Sequence, residues 1–165
     1  MMTYEEAQKF IGKSFKELDT PALLIDLAVY ERNLRLMAKR LSLTSVSLRP
    51  HFKSHKCADV ARDQVALGAI GITCAKLDEA EVLVDAGIKS ILIANEIVGE
   101  IKLERLAGLS KKSEVIVGVD NLKNIKDLSR AAQAAKTRMH VLIEIDTGMK
   151  RCGIAFFLRL IGRLS

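Results

Sequence analysis

Short apolar runs alternate with amphipathic segments along most of this chain. The apolar runs are nearly continuous, which is typical of parallel strands covered on both faces. The first amphipathic segment carries Tyr30, Leu34, Met37 and Leu41 at helical spacing. The pattern predicts strands over residues 22–26, 45–52, 70–75, 90–95, 115–119 and 139–145, and further helices over residues 59–67, 78–85, 100–107 and 121–135.

Polar and glycine residues mark where these helices should begin and end. Asp26 and Asp78 precede or open helical segments, so we expect their carboxylates to cap the helix N-termini. Gly68, Gly87 and Gly108 follow helical segments, and glycine is the residue that most readily ends a helix.

Regular alternation of six strands with helices favours an α/β fold, and a (β/α)8 (TIM-type) barrel over an open sheet. No GxGxxG motif follows the first strand, which weakens a dinucleotide-binding alternative. A complete barrel needs about 250 residues, whereas this chain has 165. We therefore expect a partial barrel of about six strands over residues 21–153. Residues 1–20 would be an N-terminal helical extension, and residues 154–165 a tail of divergent composition.

Composition narrows the class of protein. Hydrophobic residues make up 49% of the chain and charged residues 28%, which is typical of a soluble globular domain. The net charge is +6, but the basic residues are interspersed with acidic ones along most of the chain. This pattern indicates solvated helix faces and no nucleic-acid partner. Three widely spaced cysteines predict neither a disulfide framework nor a zinc site. Without a signal-like or membrane-spanning run, we expect a cytoplasmic protein.

Two polar elements follow predicted strands. Residues 49–56 read Arg-Pro-His-Phe-Lys-Ser-His-Lys, and Lys53 lies at the end of the strand predicted over residues 45–52, where α/β folds collect their chemistry. Crowding by other cations would disfavour the ammonium form and make Lys53 an amine nucleophile able to form a Schiff base. A solvated basic loop or an anion-binding patch is the alternative. Residues 146–153, Asp-Thr-Gly-Met-Lys-Arg-Cys-Gly, follow an apolar run in the same way and favour a site.

The two polar elements lie in stretches at residues 48–56 and 146–154, and a third stretch with a recognisable motif lies at residues 17–26. Together they resemble the D-threonine aldolase and D-serine dehydratase family, pyridoxal-phosphate enzymes built on an alanine-racemase-type barrel. The Arg-Pro-His-x-Lys-Ser-His-Lys element is the more specific of the motifs. The Asp-Thr-Gly-x-x-Arg-Cys-Gly element is shared with alanine racemases.

The resemblance implies a set of site residues. Lys53 matches the catalytic lysine that holds pyridoxal phosphate covalently, and Arg151 matches the arginine that approaches the phenolate oxygen of the cofactor ring. His51 is expected to join them in binding the cofactor. No separate role follows for His55 beside it, and a supporting hydrogen bond is the simpler expectation for each histidine.

Two acidic residues carry further implications. Asp146 is expected to order the Thr-Gly turn that follows it. Glu144 stands where alanine racemases often carry a lysine, which favours the aldolase and dehydratase branch of the resemblance.

The activity implied is a pyridoxal-phosphate-dependent lyase acting on D-3-hydroxy amino acids, by aldol cleavage or by dehydration. The family uses a divalent metal whose ligands lie in a C-terminal β-domain, and this chain lacks that domain, so we expect impaired activity and no metal ligands. Open barrel edges predict a homodimer or aggregation. The alternatives are a non-catalytic pyridoxal-phosphate-binding protein and an inactive fragment that binds no cofactor.

Overall fold

The computed structural model describes residues 4–155. They fall into two compact units, one ending at Asn33 and the other beginning at Leu34. The first unit contains helix α1 (Tyr4–Gln8) and a short 3₁₀ turn at Phe15–Glu17. Most of the tail predicted over residues 154–165 lies outside the described residues.

The strand predicted over residues 22–26 is wrong. These residues are extended, pair with no strand and lead into helix α2 (Leu27–Ser42). An apolar run becomes a strand only where a neighbouring segment satisfies its backbone groups, and Leu23 remains 90% exposed. The predicted cap is confirmed, because Asp26 Oδ1 accepts a hydrogen bond from Val29 N–H at 3.0 Å.

Four parallel strands form the main sheet of the second unit. They are hydrogen-bonded in chain order: β1 (Ile72–Cys74), β2 (Ser90–Glu96), β3 (Glu114–Val119) and β4 (His140–Ile143). Parallel strands need a crossover between them, and a helix supplies each one here. The carboxyl ends of all four strands therefore meet at one edge of the sheet.

Residues 48–51 form an extended segment that runs parallel to β1 and is hydrogen-bonded to it. Thr73 N–H donates to the Pro50 carbonyl oxygen at 2.8 Å, and His51 forms a parallel bridge with Thr73. The strand predicted over residues 45–52 is thus confirmed only at its end. Pro50 has no N–H to contribute to a ladder, which prevents regular pairing here.

The strand predicted over residues 139–145 is divided at Glu144. The N–H of Glu144 donates to the carbonyl of the last β3 residue at 2.9 Å, while its own carbonyl accepts from Ile154 N–H at 2.9 Å. The chain continues as β5 (Ile145–Asp146), which pairs in parallel with β6 (Ile154–Ala155). Glu144 is therefore the junction between the main sheet and this second, two-stranded one.

Helices lie between the strands in sequence. They are α3 (Ala58–Ala66), α4 (Leu77–Asp85), α5 (Glu100–Leu109) and α6 (Leu122–Ala134). Gly68 and Gly87 follow α3 and α4 with φ of +103° and +85°, the left-handed backbone that favours glycine. Both predicted helix ends are confirmed.

Two other predicted boundaries are wrong. Lys76, not Asp78, is the N-cap of α4, and the Asp78 carboxylate instead accepts from Arg105 Nη2 at 2.5 Å. Gly108 lies inside α5, which continues to the buried Leu109. Glycine permits a helix to end but does not require it, and burial of the next residue keeps this helix going.

The core is built from the main sheet and its helices. Ile91, Ile93 and Val117 are fully buried on the strands, and Leu83 of α4 and Leu106 of α5 pack into the same cluster. Removal of these side chains from water is the main stabilising contribution to this unit. The α/β class is confirmed, and the sheet does not close into a barrel within residues 4–155. None of the helices in that range is long and apolar enough to cross a membrane.

Candidate functional site

Lys53 lies on a short turn that is anchored to the hydrophobic core by the residue before it. The turn is a 3₁₀ helix at Phe52–Ser54, directly after the extended segment. The Phe52 ring is only 3% exposed and belongs to the main hydrophobic cluster, whereas Lys53 is exposed. A buried aromatic ring beside an exposed amine holds the backbone in place and leaves the amine accessible.

His51 caps this turn through one ring nitrogen. His51 Nδ1 accepts a hydrogen bond from Lys53 N–H at 3.2 Å. A nitrogen that accepts carries no proton, so the neutral ring has its proton on Nε2 and can donate from there. Burial, and then the positive charge of Lys53, lower the pKa of His51, while Glu79 opposes the shift.

His55 supports the start of α3 in the same way. Its Nδ1 accepts from Cys57 N–H at 3.2 Å, and its ring meets the edge of the Phe52 ring at a centroid distance of 5.4 Å. Burial lowers the pKa of His55, and the neighbouring Gln64 side chain opposes this shift. We therefore assign His55 a supporting role, which agrees with the expectation of a supporting hydrogen bond for this residue.

The cations expected to crowd Lys53 are directed elsewhere. Arg49 donates through Nη1 to the Ser90 carbonyl at 3.2 Å and through Nη2 to Ser90 Oγ at 3.1 Å, at the opposite end of β2. Lys56 Nζ lies 4.0 Å from a carboxylate oxygen of Glu79. Both cations therefore have partners of their own, and Lys53 forms no ion pair within residues 4–155. That they also crowd Lys53 stays a prediction.

The second polar element is ordered by Asp146. Its Oδ1 accepts from Gly148 N–H at 2.8 Å and from Lys150 N–H at 3.0 Å, as expected for a carboxylate that orders the Thr-Gly turn. These hydrogen bonds, the one from Gly148 first, lower the pKa of Asp146. Arg151, in the same loop, is exposed.

The structure puts Lys53 and Arg151 at the same edge of the sheet but at opposite ends of it. His51 ends the segment beside β1 and Lys53 follows it, whereas Arg151 follows β5, which continues the chain after β4. Four strand spacings of about 4.8 Å separate the segment that precedes Lys53 from β4, or about 19 Å along the edge. A ligand that contacts both side chains must lie across the ends of β1, β2 and β3.

Sequence reasoning missed part of the acidic group at this edge. Glu96 ends β2, Asp120 follows β3 and Glu144 follows β4, and the carboxyl groups of Glu96 and Glu144 interact directly. Each is the first acidic residue after an apolar run, so the pattern offered a signal for all three. These three carboxyl groups do not form a metal site, because no three His, Cys, Asp or Glu side chains in the part of the chain that the structure describes are placed to hold one metal ion.

Comparisons with known proteins identify the fold that carries these residues. The alanine racemase N-terminal domain family matches residues 25–162. The chain belongs to this family. This match confirms the partial (β/α)8-type fold. The resemblance to D-threonine aldolases and D-serine dehydratases is confirmed by relatives of both kinds.

Individual relatives are lyases with larger chains. D-threonine aldolase from Arthrobacter sp is 44% identical over 144 residues, which is 87% of this chain and 38% of that protein. 3-Hydroxy-D-aspartate aldolase from Paracoccus denitrificans is 41% identical over 145 residues, with the same coverage of both chains. The chain thus spans little more than a third of the length of these curated relatives.

Solved structures give the same result. The crystal structure of D-threonine aldolase from Filomicrobium marinum superposes with a TM-score of 0.82 at 51% identity, covering 85% of this chain and 38% of that one. D-threo-3-hydroxyaspartate dehydratase from Delftia sp. HT23 superposes with a TM-score of 0.75 at 35% identity, covering 84% and 37%. An aldolase and a dehydratase therefore share the strand and helix arrangement found here.

Proposed function

We propose that this chain is the cofactor-binding part of a pyridoxal-phosphate-dependent lyase that acts on D-3-hydroxy amino acids. One observation carries the proposal. Lys53 is an exposed amine without an ion pair, held on a turn anchored by Phe52, at the sheet edge where α/β folds collect their chemistry. The curated relatives that are 35–44% identical to this chain are aldolases and a dehydratase of D-hydroxy amino acids.

The residues at this edge fit the chemistry of the cofactor. The aldehyde group of pyridoxal phosphate needs an accessible amine to react with, and Lys53 provides one. The phenolate oxygen of the ring needs a cation or a donor, and both exposed Arg151 and the Nε2–H of His51 are suitable. Because its pKa is lowered, His51 is a neutral donor near neutral pH. When bound, pyridoxal phosphate supplies the electron sink on which bond cleavage at the substrate α-carbon depends.

The protein's own contribution is orientation. The His51 hydrogen bond fixes the Lys53 backbone, and the two Asp146 hydrogen bonds fix the loop that carries Arg151. Holding reacting groups in position is one of the largest sources of enzymatic rate enhancement. For the metal expected from the resemblance, we propose ligands outside residues 4–155, since the described residues bring no ligand group together.

Cofactor titration tests the proposal. We expect pyridoxal phosphate to bind the full chain with a saturable absorbance change. Lys53→Ala should weaken that binding at least about tenfold, or about 1.4 kcal/mol. Lys56→Ala removes a lysine three residues away that is paired with Glu79, so it is the matched control and should change affinity by less than about twofold. Equal losses in both variants would contradict the proposal.

The products separate the two reactions that the relatives represent. With D-threonine as substrate, glycine and an aldehyde would identify aldol cleavage. A 2-keto acid and ammonia would identify dehydration. We assign the chain to the substrate class that both reactions share.

A further inference from the structure

Two glutamates meet at the carboxyl edge of the main sheet, at some distance along the edge from Lys53. Glu96 ends β2, and Glu144 is the junction between β4 and β5. The β3 residue in register with Glu96 is Gly118, which has no side chain. Gly118 is in turn in register with Leu142, two residues before Glu144. The carboxyl groups of the two glutamates are within hydrogen-bonding reach of each other.

One carboxyl oxygen atom of each glutamate has no hydrogen-bond donor. Glu96 Oε1 and Glu144 Oε2 are both shielded from solvent, and neither has a hydrogen-bond partner among the described residues. Ionised carboxylate oxygens only accept hydrogen bonds, so two of them facing each other repel and remain unsatisfied. A single proton turns one carboxyl group into a donor and satisfies both atoms at once.

The surrounding charges favour that proton. Burial, then the hydrogen bond with Glu144 and the negative charge of Asp120, raise the pKa of Glu96. On the loop side, the Cys152 thiol donates to Glu144 Oε1 over 3.7 Å, and burial and Glu144 raise the pKa of that thiol. Two influences act in the opposite direction. The backbone N–H of Glu96 lowers the pKa of the Glu96 carboxyl group, and the positive charge of Arg151 lowers the pKa of the Cys152 thiol.

We propose that Glu96 and Glu144 share one proton at neutral pH, and that this proton ties the end of β2 to the junction of β4 and β5. The junction already bonds to β3 through its N–H and to Ile154 through its carbonyl. The shared proton adds a third hydrogen bond at Glu144, where the chain enters the loop that carries Arg151. The pair thus positions this loop, and its existence does not depend on the proposed cofactor.

Infrared spectroscopy of the full chain with ¹³C-labelled glutamate tests the proposal directly. At pH 7 the wild type should show the carbonyl band of a protonated carboxyl group. Glu96→Gln and Glu144→Gln, which keep the side-chain shape and can donate to the remaining carboxylate, should each abolish it. Glu104→Gln changes an exposed glutamate of α5 and should keep the band. Absence of the band in the wild type, or its survival in both pair variants, overturns the proposal.

The pH dependence of unfolding gives a second readout with a defined sign. A carboxyl group whose pKa is raised by folding stabilises the folded state below its ordinary pKa of about 4.3, and that contribution is lost as the pH rises through the raised value. Thermal unfolding followed by circular dichroism at fixed protein concentration should show this loss in the wild type and in Glu104→Gln. The loss should be absent in Glu96→Gln. A Glu96→Gln profile parallel to the wild type would overturn the proposal.

Discussion

At His51, one ring nitrogen shapes the turn and determines the protonation of the ring. Its Nδ1 accepts from Lys53 N–H, which leaves Nε2 as the protonated nitrogen, and half-burial beside Lys53 keeps the ring neutral. The motif alone indicated that His51 lies beside the lysine. It could not indicate which nitrogen faces the backbone, since that depends on the extended segment next to β1.

The capping role of His51 predicts different effects for two substitutions. His51→Ala removes the acceptor for Lys53 N–H and should lower the free energy of unfolding by about 1 kcal/mol, as loss of a helix cap does. His51→Asn provides another acceptor, and should recover most of that loss. Both variants lose the Nε2 donor, so both should bind pyridoxal phosphate more weakly. Chemical denaturation and cofactor titration measure these effects, and equal destabilisation by Asn and Ala would contradict the capping role.

The lowered pKa of His51 predicts a specific acid sensitivity. Below its ordinary pKa of 6.5 the unfolded chain binds a proton that the folded chain resists, so the free energy of unfolding should fall as the pH drops through 6.5. Since the pKa of His55 is lowered as well, His51→Asn should reduce this dependence without removing it. Unfolding midpoints at pH 7.5 and 5.5 provide the comparison. An unchanged pH dependence in His51→Asn would show that His51 does not contribute.

At the scale of elements, the sequence pattern predicted strands where both neighbours lie in the main sheet. The runs of β2 and β3 are apolar throughout, and both became regular strands. The pattern failed where pairing decides the outcome: at residues 22–26, which have no ladder, at Pro50, which cannot donate to one, and at Glu144, where the chain changes sheets. Apolar content sets the tendency to be buried, whereas hydrogen-bond partners are set by the whole fold.

The loop between β5 and β6 depends on two glycines that differ in their surroundings. Gly148 and Gly153 both have positive φ, +126° and +91°, but only at Gly153 would a Cβ atom meet other atoms, at 2.9 Å from Asp146 N and from the carbonyl carbons of Glu144 and Ile145. Gly148→Ala should therefore cost only backbone strain, about 1 kcal/mol. Gly153→Ala should cost clearly more and should expose the loop amides to hydrogen exchange. Equal costs would contradict the close packing at Gly153.

At the scale of the molecule, the β4 side of the main sheet is apolar and open. Val141, Leu142 and Ile143 are all exposed, and on its far side β4 pairs with no strand within residues 4–155. An edge strand with unpaired backbone groups and exposed apolar side chains is a template for association. This surface fits the predicted homodimer or aggregation, which stays a prediction.

We expect the purified chain to associate through this edge. Light scattering of dilute protein should give a mass above 18.2 kDa. Leu142→Lys puts a charge on β4 where Leu142 is 51% exposed, and should reduce association. Leu122→Lys makes the same change in α6, where Leu122 is 74% exposed, and should not. A monodisperse 18.2 kDa wild-type species would show that the edge is not a site of association.

We propose that Lys53 is the lysine that holds pyridoxal phosphate. Reduction with borohydride in the presence of the cofactor, followed by peptide mapping, tests it most directly, because reduction fixes the cofactor on whichever lysine carries it. We predict that the label is found on the peptide containing Lys53, at an occupancy well above that of Lys56 and the other exposed lysines. A label spread evenly over surface lysines, or concentrated on Lys56, would contradict the claim.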